Sequence, residues 1–253
     1  MLAGIVGGEK VQLNSPDVEK AVMLLVKGNV TDENGKTKST TWLCAASIIS
    51  PHVLLTAAHC IGDDIGVIFH PGISCESGFK AETDVRKATR GIKNPDYKES
   101  EKGTTNLSND IAIVILPDPV PARYEIFKIA DPKEYSNTTE DVLFLGYGKI
   151  GTEKYGSGIL RKVKIPVVQV IASESEGIVK IDQSKGKGLC SGDSGGASLV
   201  QINNEMQILG VNSAVIAKKE EMMCEERAVQ ALAFKHKAWI NSKLKLIGEK
   251  LID

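Results

Sequence analysis

Three short segments of this chain contain the side chains that nucleophilic catalysis requires. Ser194 is the candidate nucleophile, His59 the candidate base and Asp110 the candidate carboxylate that orients the imidazole. A serine hydroxyl is a weak nucleophile at neutral pH and needs a neighbouring base that takes its proton as it attacks. The chain order His, Asp, Ser is one of the known orders of such a triad. The segments are Thr56-Ala57-Ala58-His59-Cys60, Asn109-Asp110-Ile111-Ala112-Ile113 and Gly192-Asp193-Ser194-Gly195-Gly196.

These segments resemble those of the trypsin/chymotrypsin family of serine peptidases, and a fourth, Ile5–Gly8, resembles the mature N-terminus of that family. They occur in the family's order, and with an apolar-faced C-terminal helix the resemblance covers nearly the whole chain. It implies an all-β fold of two packed antiparallel six-stranded β-barrels with a C-terminal α-helix. It also implies a serine endopeptidase that hydrolyses peptide bonds through an acyl-enzyme. The alternative is a catalytically inactive binding protein of the same fold, or a locked precursor.

Short segments rich in apolar and β-branched residues, separated by Gly, Pro, Asn and Asp, are typical of an antiparallel sandwich or barrel. The predicted strands are 21–26, 45–49, 53–56, 111–116, 142–146, 162–168, 197–202 and 208–212. Residues 1–4 are interpreted as a residual pro or leader segment, residues 5 to about 120 as the first barrel, and the remainder to 253 as the second barrel and C-terminal helix. That helix is predicted from apolar residues at helical spacing, namely Trp239, Ile240, Leu244, Ile247 and Leu251.

Composition argues against several classes of function. The chain has 253 residues and a formal net charge of -1, with acids and bases interspersed, so it lacks the basic stripe of a nucleic-acid or membrane-surface protein. Its longest mostly apolar stretches are too short and too polar to span a bilayer. No His/Cys cluster has zinc-site spacing. We expect a monomer with no metal or cofactor, whose partners are a protein or peptide substrate and an activating protease.

The chain contains five cysteines, and their spacing alone does not assign pairs. The family resemblance implies the disulfides Cys44–Cys60, beside the histidine segment, and Cys190–Cys224, at the walls of the substrate pocket. Cys75 is left over and is interpreted as a loop thiol. Two disulfides imply an oxidising compartment, so the protein is expected to be secreted or periplasmic.

The resemblance also assigns roles around the nucleophile. The backbone N–H groups of Gly192 and Ser194 are expected to form the oxyanion hole, and Ser213 is expected to donate a hydrogen bond to the triad aspartate. Asp193 is expected to pair with the α-amine of Ile5 once the preceding residues are removed. With Met1–Gly4 attached, that amine does not exist, so the chain as given is expected to be a precursor.

The specificity pocket is assigned by position. Gly188 occupies the pocket floor, where trypsin-like members carry an aspartate, so cleavage after Arg or Lys is disfavoured. Ser213, Ala214 and Val215 are expected to line one wall and Ala228 the opposite wall. A shallow neutral pocket favours small or neutral apolar residues before the scissile bond. If the alignment of the wall shifts, Arg227 lines the pocket instead and favours acidic residues. Such departures from the family pattern indicate a divergent, elastase-like member, for example a bacterial one.

Overall fold

The computed structural model describes residues 5–31, 35–73, 78–98, 107–135, 141–150, 157–217 and 224–252. The expectations for Met1–Gly4 and Cys75 lie outside the described residues. The strands are β1 (Glu9–Lys10), β2 (Val22–Thr31), β3 (Thr37–Ser50), β4 (Val53–Thr56), β5 (Asp64–Ile68), β6 (Val85–Lys87), β7 (Arg90–Lys93), β8 (Ala112–Ile115), β9 (Lys128–Ile129), β10 (Asp141–Gly146), β11 (Arg161–Ala172), β12 (Gly177–Asp182), β13 (Ala197–Ile202), β14 (Glu205–Ile216) and β15 (Arg227–Leu232). The α-helices are α1 (Ala81–Asp84) and α2 (Lys237–Lys245), and short 3-10 helices cover Pro16–Lys20, Ala58–Cys60, Leu107–Asn109 and Ala233–His236.

The first half of the chain forms a curled antiparallel sheet in the order β6-β5-β2-β3-β4-β8-β7. β2 and β3 form a long hairpin whose register runs from Val22 opposite Ala46 to Thr31 opposite Thr37. The hairpin is exposed near its turn and buried where it enters the sheet, so its apolar residues lie in the core. β4 is buried throughout and ends at Thr56, directly before the segment that holds His59.

The second half forms a closed barrel. β10, β11, β12, β15, β14 and β13 pair in that order, all antiparallel, and β13 pairs back with β10. Closure leaves no unpaired edge among these six strands. A mostly β fold with a closed barrel, a second curled sheet and a C-terminal helix confirms the predicted fold class. Among the described residues the first sheet is a curled half-barrel rather than a closed barrel.

The N-terminal residues pack on the second sheet, although the sequence analysis groups them with the first half. β1 pairs with the start of β11, with Glu9 opposite Lys162. Ile5 is fully buried within the hydrophobic core of the closed barrel. Such a placement depends on a strand pairing about 150 residues apart in sequence, which local patterns do not reveal.

The C-terminal helix is shorter than predicted. α2 ends at Lys245, and Gly248 follows with a φ of +76°, a left-handed conformation that favours glycine. The N–H of Gly248 donates to the carbonyl of Lys245 and so satisfies part of the helix end. Ile247 and Leu251 therefore lie beyond the helix, and Leu251 returns to pack in the core of the first sheet.

Two disulfides join distant segments, as the family resemblance implied. Cys44 of β3 is bonded to Cys60 of the histidine segment, and Cys190 to Cys224. Each bond restricts the unfolded chain and typically contributes about 2–4 kcal/mol to stability. Within the described residues, no helix has the length and apolar character needed to cross a membrane.

Candidate active site

The structure places His59, Asp110 and Ser213 in one hydrogen-bonded group. His59 lies on the 3-10 helix that follows β4, and Asp110 lies directly before β8. The Nδ1 atom of His59 is 2.7 Å from Oδ2 of Asp110, and the backbone N–H of His59 donates to Oδ1 over 3.0 Å. The hydroxyl of Ser213 donates to Oδ2 over 2.6 Å. β4 pairs with β8, and this pairing brings the two segments together although they are about 50 residues apart in sequence.

The environment keeps Asp110 ionised and leaves His59 accessible. Asp110 is 1% exposed, whereas the His59 side chain is 29% exposed. Burial by itself raises the pKa of Asp110, but the hydrogen bonds and charge of His59 and the hydroxyl of Ser213 outweigh it, so the pKa is lowered from its ordinary value. An ionised carboxylate on Nδ1 leaves Nε2 as the ring nitrogen that can accept a proton.

Ser194 lies on a tight turn that packs against the histidine segment. The backbone N–H of Ala45 donates to the carbonyl of Ser194 over 2.7 Å. Gly195 has a φ of +80°, and a β-carbon there would overlap Thr56 and Ala45 and lie 3.1 Å from the nitrogen of Ala57. Only glycine fits this contact, because both the conformation and the space exclude a side chain. The Ser194 turn is thereby fixed beside the end of β4.

The carboxylate of Asp193 organises the same turn from inside. It is fully buried and accepts hydrogen bonds from the backbone N–H groups of Cys190, at 2.9 Å, and Gly148, at 2.8 Å. The backbone N–H of Ile5 lies close enough to lower the pKa of this carboxyl slightly, against the larger raising effect of burial. The sequence analysis paired Ile5 with Asp193, and the structure brings the two residues together. Gly192 has a φ of +96° and lies against the α-carbon of Gly148, a close approach that a side chain would prevent.

A pocket of about 240 Å³ opens beside the serine. Of the residues predicted to line it, Ser213, Ala214 and Val215 do so, whereas Gly188 and Ala228 are buried and are not among its lining residues. Arg227 is exposed and is not among the lining residues either. The complete lining is Leu189, Cys190, Ser191, Asp193, Ser194, Asn212, Ser213, Ala214 and Val215.

Gln183 does not line the pocket but supports the lining residue Leu189, a role that the sequence analysis missed. Its amide is fully buried, donates to the carbonyls of Leu189 and Cys224 and accepts from the N–H of Leu189. It thus joins two segments that the Cys190–Cys224 disulfide also holds together. A β-carbon on Gly188 would overlap the Gln183 amide, so this glutamine fills the space where trypsin-like members carry the aspartate side chain. A lone glutamine in a loop gives no sequence signal of such a role.

A second missed pair, Asn212 and Gln230, supports the nucleophile turn. The Asn212 amide donates to the carbonyl of Asp193 over 3.0 Å. The backbone N–H of Asn212 donates to the carbonyl of Gly196, and its carbonyl accepts from the N–H of Gly195, both over 2.8 Å. Gln230 on β15 in turn donates to the Asn212 side-chain oxygen over 3.0 Å. Buried amides joined in this way rigidify a segment because breaking one bond leaves an unpaired polar group.

One group of potential metal ligands lies next to the site. Cys44, His59 and Cys60 offer atoms within 4.8 Å of one another. Both sulfurs are already joined in a disulfide, so they are unavailable as thiolate ligands, and the group does not fit a zinc site.

Comparison with known protein families assigns this fold to the serine-type endopeptidases. A family model described as Trypsin matches residues 5–240. The chain belongs to the trypsin family.

Similarity to characterised proteins extends over most of the chain. Brachyurin of Leptuca pugilator is 31% identical over 163 residues, which are 61% of this chain and 70% of that protein. Kallikrein 1-related peptidase b27 of Mus musculus is 24% identical over 210 residues, 76% of this chain and 73% of that protein. CLIP domain-containing serine protease C9 of Anopheles gambiae is 26% identical over 198 residues, 68% of this chain but 52% of that longer protein.

Proposed function

We propose that the chain hydrolyses peptide bonds through an acyl-enzyme formed on Ser194. The observation that supports this most directly is the hydrogen-bonded group in which the His59 Nδ1 atom lies 2.7 Å from a buried Asp110 carboxylate. This carboxylate orients the imidazole and stabilises the imidazolium that forms when His59 takes the serine proton. Nucleophilic catalysis needs a base oriented in this way, and the glycine-rich turn of Ser194 packs against the segment that carries His59.

The proposed reaction has two halves. Ser194 attacks the carbonyl carbon of the scissile bond while His59 accepts its proton, and His59 then gives this proton to the leaving amine. Water repeats the sequence on the acyl-enzyme, with His59 again as the base. The N–H groups of Gly192 and Ser194 donate to the oxyanion in both halves, and losing one such donor typically costs about 100–1000-fold in rate.

A fluorophosphonate tests the nucleophile directly. We expect one covalent adduct, detected by intact mass spectrometry and mapped by peptide sequencing to Ser194, on the species that begins at Ile5. The matched control is Ser194→Ala, which should carry no adduct. Absence of the adduct on a species still carrying Met1–Gly4 would favour the locked precursor. Absence even with Ile5 at the N-terminus would favour the inactive binding protein instead.

Activation is proposed to follow cleavage before Ile5. The backbone N–H of the buried Ile5 already lies near the carboxylate of Asp193, but in the uncleaved chain this group is an uncharged amide. Ile5 has a φ of +55°, which is strained for a β-branched residue. Cleavage would replace the amide by an ammonium ion beside the buried carboxylate and would release that conformational constraint. An activating protease is therefore proposed as a partner.

The uncleaved chain is expected to lose stability as the pH rises from about 4 to about 7. Burial raises the pKa of Asp193 from 3.8 to about 7, against the lowering effect of backbone hydrogen bonds from Cys190 and Gly148. A carboxyl whose folded pKa is raised stabilises the fold fully below its unfolded pKa, and this contribution is lost as the pH passes the folded pKa. The rise of the pKa from 3.8 to about 7 corresponds to a change of roughly 4 kcal/mol in the free energy of unfolding.

Urea unfolding of the uncleaved protein and of Asp193→Asn at several pH values measures this contribution. The difference between the two free energies of unfolding should change steadily between pH 4 and 7 and then level off. Cleavage before Ile5 should abolish most of the change, because the ammonium ion favours the ionised carboxylate. Parallel curves for the uncleaved protein and Asp193→Asn would contradict the expectation.

Specificity for small or neutral apolar residues before the scissile bond is proposed from the pocket. The Gln183 side chain, which supports the pocket wall, is uncharged. Its NH₂ group already donates to the carbonyls of Leu189 and Cys224, and its oxygen already accepts from the N–H of Leu189. The pocket is about 240 Å³, and Val215 lines it. A neutral pocket of this size selects by volume, so one methylene changes selectivity by only roughly 1–3 kcal/mol.

Val215→Gly is expected to widen the range of accepted residues. With peptide substrates that differ only in the residue before the scissile bond, the wild-type protein should prefer Ala and Val over Phe and Lys. Val215→Gly should raise kcat/KM for Phe relative to Ala about tenfold, because it removes a side chain from the pocket wall. Ile216→Gly, at an exposed position of the same strand that does not line the pocket, is the matched control for backbone loosening and should leave the ratio unchanged. Preferential cleavage after Lys by the wild-type protein would refute the neutral pocket.

A secreted or periplasmic location is proposed from the two disulfides. Disulfides persist in oxidising compartments and are rare in the reducing cytosol. The proposed partners are protein or peptide substrates, and the proposed state is a monomer.

A further inference from the structure

A buried histidine outside the proposed triad joins the two halves of the chain behind Asp110. His236 ends the 3-10 helix Ala233–His236, which follows β15, and is 6% exposed. Its Nε2 atom lies 2.7 Å from the carbonyl oxygen of Ser108, and its Nδ1 atom lies 3.1 Å from the amide nitrogen of Asn94. Both ring nitrogens are therefore engaged with segments from the first half of the chain.

These two contacts hold the backbone on both sides of Asp110. Ser108 lies on the short 3-10 helix that leads into the aspartate. Asn94 directly follows β7, and its backbone N–H donates to the carbonyl of Ile111, the residue after the aspartate, over 2.9 Å. One imidazole thus holds the segment that enters Asp110 directly and the segment that leaves it through Asn94.

The partners of the His236 ring assign its protonation state. A carbonyl oxygen only accepts, so Nε2 carries the hydrogen that bonds to Ser108. The side-chain oxygen of Asn94 already accepts the backbone N–H of Asp96 over 2.9 Å, so the Asn94 NH₂ group faces Nδ1 and donates to it. A proton on Nδ1 would set two donors against each other in a buried site. This hydrogen-bond pattern therefore needs the neutral imidazole.

Burial also favours the neutral ring. It lowers the pKa of His236 from its ordinary value, against the raising effect of the bond to Ser108. The charge of Lys235, on the same 3-10 helix, lowers this pKa further, and the charge of Asp96 opposes it. Burial is the largest of these effects, so the imidazole that the hydrogen bonds require is also the form that its surroundings stabilise.

The other charged groups around the ring are few within the described residues. His236 lines a cavity of about 380 Å³, to which the loop before β12 contributes Glu174. The 3-10 helix that carries Ser108 has no ionisable side chain. Lys237, the first residue of α2, places its ammonium 5.7 Å from the centre of the Phe234 ring instead. Protonation of His236 therefore has no carboxylate in contact with Nδ1 to compensate for it.

We propose that neutral His236 is a positioning residue for Asp110, which holds the backbone on both sides of the aspartate and releases it when the ring is protonated. The inference rests on the proposed role of Asp110 in orienting His59. With both contacts in place, the carboxylate lies 2.7 Å from the His59 Nδ1 atom. Acid sets the new N–H against the Asn94 amide, so this support is lost and the carboxylate is left with Ser213 as its contact from the second half of the chain.

Kinetics at pH 8 on the protein cleaved before Ile5 separate hydrogen bonding from packing. His236→Leu removes both bonds and keeps a bulky apolar side chain, whereas His236→Gln offers an NH₂ group to the Ser108 carbonyl and cannot become a cation. We expect His236→Leu to lower kcat about tenfold with KM within about twofold of wild type, and His236→Gln to stay within about threefold. The control Ile240→Val removes a buried methyl group from α2 and should lower the unfolding midpoint with kcat unchanged.

Protonation of the ring is measured on the uncleaved chain, without activity. A histidine whose folded pKa is lowered contributes stability that is full above its unfolded pKa and is lost as the pH falls. Between pH 7 and 5 the thermal unfolding midpoint of the wild-type protein should therefore change by about 3 °C in the destabilising direction relative to His236→Gln, which shares every other titrating group. NMR of the four histidines should show the His236 signal, identified by its absence in His236→Gln, titrating below the ordinary range of histidine.

Asn94→Asp reverses the hydrogen-bond pattern. One carboxylate oxygen can still accept the N–H of Asp96, and the other replaces the NH₂ group that faces Nδ1. A protonated Nδ1 would then have an acceptor with a negative charge, so the NMR titration of His236 should move to higher pH. The acid loss of the midpoint relative to His236→Gln should disappear in this background.

Three outcomes would overturn the proposal. They are a kcat loss in His236→Gln as large as in His236→Leu, parallel acid losses of the midpoint in the wild-type protein and His236→Gln, or an unchanged His236 titration in Asn94→Asp. If His236→Leu does not fold, the other two comparisons still decide. Failure of the proposed triad is a separate result, since a fully active Asp110→Asn would refute the role of Asp110 but leave the titration and midpoint differences of His236 intact.

Discussion

Replacing Ser194 by alanine is expected to lower kcat about 10⁶-fold, the order of loss that follows removal of the nucleophile from such a triad. The fold should be unaffected, because the contact that the residue makes with Ala45 uses its backbone carbonyl. Steady-state hydrolysis of a peptide ester, with the free energy of unfolding measured on the same samples, checks both statements. The His59→Ala/Ser194→Ala double variant should be no slower than either single variant, because the two residues act as a unit.

Residual activity of Ser194→Ala above about 1% would contradict the mechanism, since the oxyanion hole and substrate binding alone leave far less. An additive further loss in the double variant would show that His59 acts independently of Ser194.

Asp110→Asn is expected to lower kcat about 10⁴-fold with little effect on KM. The carboxylate accepts hydrogen bonds from the backbone N–H of His59, the His59 ring and the hydroxyl of Ser213. An amide can accept only on its oxygen, so its NH₂ group would face a donor and the imidazole would adopt the wrong tautomer or orientation. Kinetics across pH 6–9 on Asp110→Asn measure the loss.

Ser213→Ala serves as the comparison for Asp110→Asn. It removes one donor to the same carboxylate but leaves both His59 contacts, so its loss should be only about tenfold. Equal losses in the two variants would show that Asp110 acts through the Ser213 hydrogen bond rather than through the imidazole.

Gln183 limits how the pocket can be engineered. It does not touch the proposed reacting atoms, yet a β-carbon on Gly188 would overlap its amide. Introducing an aspartate at 188 alone should therefore disrupt the pocket instead of producing cleavage after lysine. The combination with Gln183→Ala would be needed to make room for it.

The sequence by itself determined the family, the fold class and the residues proposed for chemistry, and the family resemblance implied the cysteine pairs. Chemistry demands particular side chains, so His59, Asp110 and Ser194 stand in local segments that can be read one at a time. Segments rich in apolar and β-branched residues likewise mark strands such as β10 and β13, which are buried along nearly their whole length.

Only the tertiary structure decided which residues support that chemistry. β1 and β9 have two residues each and exist as strands only through their partners. Gln183, Asn212 and Gln230 carry no local signal, because their roles depend on contacts between segments far apart in sequence. The end of α2 depends on a left-handed glycine, Gly248, after which the apolar spacing continues without the helix. Local residue types thus identify the reacting groups, whereas the pairing of distant strands fixes the surroundings that position them.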